Sequence, residues 1–175
     1  MERCLKRLKG ELRIPRQSEF KASSSPLDTR IRVLKELGAL PLELHCVIAR
    51  KELVWPNLRL VPNILYNYLA RTIIVPFVET HHPARLIYDR RSAKIAGPLL
   101  SFEDYLCAEV WGAGCPPGSF TIEAWDSRLH FGLCAVDFAL HAVFAHYEKS
   151  DDRELQPIQP IVRNQFRIWE RRRGR

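Results

Sequence analysis

The chain has 175 residues, 46% of them apolar and 27% charged, with a net charge of +7. Those proportions exclude a disordered or low-complexity chain and give enough material for one domain with its own core. The longest apolar stretch, Phe131 to Ala145, is too short to span a bilayer and carries Asp137 and His141.

Met1 to Arg13 are basic and lead into no apolar run with a small-residue cleavage site. Five cysteines (Cys4, Cys46, Cys107, Cys115, Cys134) form no C-x-x-C pair. The expectation is a reduced, cytoplasmic protein with no membrane partner. The positive charge is terminal. Residues 1–21 carry seven Lys/Arg against three Glu, residues 161–175 carry six Arg against Glu170, and the segment between is slightly acidic. Terminal runs of this kind are often a solvated face, though phosphate attraction stays open.

Leu5, Leu8 and Leu12 predict a helix over 1–13, followed by a loop through Pro15 and the Ser23–Pro26 run. Asp28 caps a second helix to about Leu37, which Gly38 ends. Residues 44–50 are the first strand, bounded by Pro41 and Trp55-Pro56. A long helix starts near Pro62 and runs toward Ile74, with Pro76 ending or kinking it. Residues 84–89 form the second strand, Leu99 to Trp111 a helix, 120–126 the third strand, and Phe131 to Tyr147 a strongly apolar helix. Ile161, Phe166 and Trp169 suggest a last helix over Ile161 to Arg173. Residues 1–150 thus read as an α/β domain with a small sheet of about three strands flanked by helices, and 151–175 as a basic, helical extension.

The strand–helix–strand order in the second half makes its two strands parallel neighbours. Sites in such sheets form beyond the carboxyl ends of the strands, where Asp89 and Asp126 stand. Two carboxylates there are able to converge on one cation. On the apolar helix, His130, Cys134, Asp137, His141 and Glu148 share one stripe. A buried Asp137 calls for a partner or a metal: either Asp137 and His141 satisfy each other at i and i+4, or Asp137 is a ligand. His81-His82 as a zinc site and Cys134 as a nucleophile are weaker readings than a surface loop and a buried small residue.

The segments Leu86-Ile-Tyr-Asp89-Arg-Arg91, Asp126-Ser127 and Gly132-Leu-Cys-Ala-Val-Asp137-Phe138, with Glu19-Phe20-Lys21 upstream, occur in an order that resembles the domain of unknown function 3800 family of bacteria, phages and mobile elements. Cys134 and Val136 depart from that family's usual Gln and Ala. The resemblance covers about Leu5 to Tyr147 and implies a partial RNase H-like fold. The family's opening Asp-Glu-Ser-Gly strand and the strand after it have no counterpart before Glu19. Loss of a central strand is expected to leave an apolar sheet edge. The resemblance also implies a metal-dependent nuclease or phosphoesterase using Mg²⁺ or Mn²⁺, impaired by N-terminal truncation. Asp89, Asp126 and Asp137 would be its ligands, and Glu19 a further catalytic carboxylate. The alternative is a non-catalytic remnant or a binding module. Its partners would be nucleic acid, through Arg90, Arg91, Arg167, Arg171, Arg172 and Arg173, or a protein or second copy that completes the sheet.

Overall fold

Helical spacing of leucines and period-two alternation of β-branched residues set the local structure of this chain. The computed structural model describes residues 1–15, 18, 20–90 and 101–169. It is mixed α/β and divides into two compact units, residues 1–44 with 125–163 and residues 45–124 with 164–175. Among the described residues no helix is long and apolar enough to cross a membrane.

The first unit is helical. α1 (Glu2–Glu11), α2 (Leu27–Gly38) and α6 (Phe131–Lys149) pack with a 3₁₀ segment, Gln156–Ile161. Leu5, Leu8, Val33, Leu34, Phe138, Ala142 and Ile158 are fully buried there. Phe20 meets Phe138 edge-on with ring centroids 4.9 Å apart. α2 ends against the 3₁₀ segment so closely that a Cβ on Gly38 would lie 2.0 Å from the Pro157 carbonyl oxygen. Only glycine fits that contact.

Much of the basic N-terminus is engaged internally. Lys6 pairs with Glu2, Arg7 with Glu11 and Glu36, and Arg32 with Glu11. Lys9 is buried and its Nζ donates to the Ser18 carbonyl at 2.6 Å. The Lys6–Glu2 and Arg7–Glu11 pairs lie within α1, while Arg7–Glu36, Arg32–Glu11 and Lys9 tie it to its neighbours.

The second unit contains β1 (Leu44–Ala49), the short α3 (Pro56–Arg59), α4 (Pro62–Thr80), β2 (Ala84–Asp89), α5 (Phe102–Gly112), β3 (Phe120–Trp125) and β4 (Val162–Ile168), with strand ends reaching past its boundary. Val75, Val78, Val110 and Cys115 form its core with Ile74, Ala84 and Phe120. Arg85 holds Glu123 across β2 and β3 with two hydrogen bonds of 2.8 and 2.6 Å, a cross-strand pair that fixes register.

Three expectations are corrected. The single sheet of about three strands is instead two parallel pairs, β1 with β4 and β2 with β3. Residues 162–168 are strand where the extension was expected to be helical. The reason is in the sequence: Val162, Phe166 and Ile168 share one phase of a period of two and Arg163 and Arg167 the other, with Asn164 the exception. Pro157 and Pro160 just upstream also disfavour a helix leading in. Finally, of the two outcomes expected at Pro76, it does not end the helix, since α4 passes through it to Thr80. Val75 and Val78 are both buried, and only a continued helix keeps both on the packed side.

One carboxylate stands out by burial. Glu154 is 2% exposed, and Arg30 holds it through Nε at 3.0 Å and Nη2 at 2.8 Å. His141 Nδ1 lies 2.9 Å from the same carboxylate. Burial raises the Glu154 pKa, but the hydrogen bonds and charges of Arg30 and His141 outweigh it and bring it below the ordinary glutamate value. A carboxylate of depressed pKa stabilises the fold fully above its unfolded value of about 4.3, and that contribution is lost as the pH falls through the folded value. Unfolding in urea should therefore become easier below about pH 4.3. Glu154→Gln should cost about 3 kcal/mol at neutral pH and flatten that acid limb. Gly38→Ala should cost about 1–3 kcal/mol by the same assay, through overpacking on Pro157.

Candidate functional site

Carboxylates at strand ends become chemistry only when their oxygens are free to bind something. Asp89 is the last residue of β2 and is half-buried in the second unit. Asp126 follows β3 and belongs with Asp137 to the first unit. Glu19 lies outside the described residues, as do Arg91, Arg171, Arg172 and Arg173.

Asp126 opens the turn into α6. Its Oδ1 accepts the Arg128 backbone N–H at 2.9 Å, an aspartate turn that shapes the chain before the helix. The Arg128 guanidinium folds back onto the same carboxylate, with Nε 3.0 Å from both oxygens. A dication at Asp126 would have to displace that guanidinium or sit beside its charge.

Asp137 is half-buried on α6, and its Oδ2 accepts the Ala22 backbone N–H at 2.9 Å. It thereby fastens the loop that precedes α2. The Ala22 amide, and not His141, is the partner seen, because His141 turns to Glu154. Among the described residues no three His, Cys, Asp or Glu side chains gather as a metal ion requires.

The remaining motif residues have structural work. Gly132 gives room to an imidazole: a Cβ there would fall 2.7 Å from the His130 ring. That ring also rests on Trp125 at 5.5 Å. Cys134 is buried with its Sγ 3.3 Å from the Ser127 carbonyl oxygen. His81 is exposed, stacks on Phe77 at 4.6 Å and hydrogen-bonds to Thr80. Arg90 is exposed and donates to the Ala124 carbonyl at 3.3 Å, and Arg167 is exposed on β4. The Tyr88 hydroxyl donates to Glu103, and burial together with that carboxylate pushes its pKa up.

Comparison with protein-family models, with curated proteins and with solved structures gives no match to this chain. The likeness to the family named above rests on the motifs.

Asp137→Ala should lower stability by about 1–2 kcal/mol, since it leaves the Ala22 N–H without its acceptor, whereas Asp137→Asn, which keeps a carbonyl oxygen, should cost less. Gly132→Ala should displace the His130 ring, an effect read as a change in its ¹H–¹³C imidazole resonances.

Proposed function

We propose that this chain is a non-catalytic binding module, rather than a working metal-dependent hydrolase. One observation carries the reading: Asp126, a ligand that divalent-metal chemistry would need, is held through both oxygens by Arg128. Asp137 adds to it, since its carboxylate is a structural acceptor for the Ala22 amide. Hard cations require several oxygen ligands in fixed geometry, and these two are engaged in holding the fold.

Phosphate contacts in this reading fall on the C-terminal arginines. The N-terminal helix is a poorer source, because Lys6, Arg7 and Lys9 already have partners within the protein. Counterion release then gives binding without sequence preference and with steep salt dependence.

A second reading, a metal-dependent nuclease, draws support from the parallel pairing of β2 with β3, the arrangement that such a site would use. It requires Asp89, Asp126 and Asp137 as ligands, with Glu19 assisting.

The two readings part on metal. Millimolar Mg²⁺ or Mn²⁺ should leave the thermal midpoint unchanged and should not stimulate cleavage of single- or double-stranded RNA or DNA. Asp89→Asn should then behave as wild type in both measurements. Metal-stimulated cleavage that Asp89→Asn abolishes would replace the binding reading with the nuclease. For the binding arm, removing residues 171–175 should weaken affinity for an oligonucleotide and reduce its salt slope by about 3. Arg7→Ala should lower stability and leave that slope unchanged.

A further inference from the structure

Helix α6 has an outer face that the fold leaves uncovered. Leu133, Val136, Leu140, Phe144 and Tyr147 recur at spacings of three and four, which places them on one stripe. The opposite side carries Cys134, Phe138, Ala142 and Ala145, all buried in the first unit. On the outer stripe Val136 is 58% exposed, Leu140 60% and Phe144 53%, and Leu129 just before the helix is 76% exposed. Scattered exposed leucines are ordinary, but a contiguous apolar row on one helix marks a contact surface.

The charges beside the row select its partner. Glu148 borders it, Asp137 lies beside it with its carboxylate accepting from the Ala22 amide, and no lysine or arginine of α6 falls within the stripe, while Arg128 just before the helix is paired with Asp126. Acidic flanks repel nucleic acid and anionic lipid headgroups alike. The row is instead complementary to itself. An antiparallel two-fold pairing centred on Leu140 sets Val136 of each copy against Phe144 of the other, small against large. It opposes the two helix dipoles, and it brings the exposed Glu148 near the positive first turn of the facing helix. Four large side chains, each more than half exposed, would remove on the order of 400 Å² of apolar surface per copy, most of the centre of an interface of about 1,200 Å².

We propose that the outer stripe of α6 is the interface of a symmetric dimer of this chain. The proposal does not depend on whether the carboxylates bind metal.

Sedimentation equilibrium of the full chain, from about 1 to about 100 µM, tests it. Wild type should sediment at twice the single-chain mass of 20.3 kDa. Leu140→Glu should weaken association by at least about tenfold while leaving the circular dichroism spectrum and thermal midpoint of the monomer unchanged, because Leu140 makes little contact within its own chain. Phe144→Glu is the second variant, with the same expectation. Leu140→Cys should cross-link on mild oxidation above the wild-type level, since the two-fold axis brings residue 140 of both copies together. A monomer throughout the concentration range overturns the proposal, as does a dimer that neither glutamate variant weakens.

Discussion

The carboxylate of Glu154 is the constraint on which the helical unit depends. It is nearly inaccessible to water and comes only five residues after the end of α6, in a run of charged residues. An ionised group in that position is tolerable only when its oxygens are fully engaged. Arg30 supplies two hydrogen bonds from α2, and His141 supplies a third from α6. Arg30 also donates through Nη1 to the Ser25 carbonyl at 2.6 Å, tying the loop before α2 into the same network. One buried charge thus fixes the positions of α2, α6 and the segment leading to Gln156–Ile161. The close passage of Gly38 beneath Pro157 follows from that placement.

Much of the secondary structure was legible in the chain because it rests on local signals. The strands at 44–49, 84–89 and 120–125 stand within a residue of their expected limits, since each is a β-branched or aromatic run between turn residues. Pairing is a different matter. β1 takes β4 as its neighbour, and β4 was misread because Ile161, Phe166 and Trp169 were weighed at helical spacing. The cleaner signal was the period-two spacing of Phe166 and Ile168 around Arg167, with Val162 in the same phase and only Asn164 breaking it. Pro76 misled for a related reason: its cost to a helix is local, and the burial of Val75 and Val78 on the packed side overrides it.

The site residues show where reading residue types stops. The sequence marks Asp126 and Asp137 as unusual, but not what they bind. The partner of Asp137 is a backbone amide 115 residues away, which no side-chain pattern records. The partner of Asp126 is two residues on and was visible as a charge, yet its fold-back geometry was not. Glu154 was missed altogether. In sequence it is one of three acids, with Asp151 and Asp152, around Arg153, and only tertiary packing separates the buried one from the others. Charge runs mislead in the same way: the N-terminal cations look like a solvated or phosphate-seeking patch and turn out to be intramolecular fastenings.

The same distinction governs α6. Its composition is apolar around most of the circumference, which reads as a helix surrounded on all sides. In the structure one side is lined by alanines and Phe138 and packs closely, while the larger aliphatic and aromatic residues face outward. That ordering runs opposite to what a solitary surface helix requires, where the outward face would carry the charges. At about 25 cal/mol per Å² of apolar surface, withdrawing about 400 Å² from water is worth about 10 kcal/mol per copy before the costs of association are subtracted. The helix is therefore built with two packing faces, and the acidic residues bordering the second exclude phosphate-bearing partners from it.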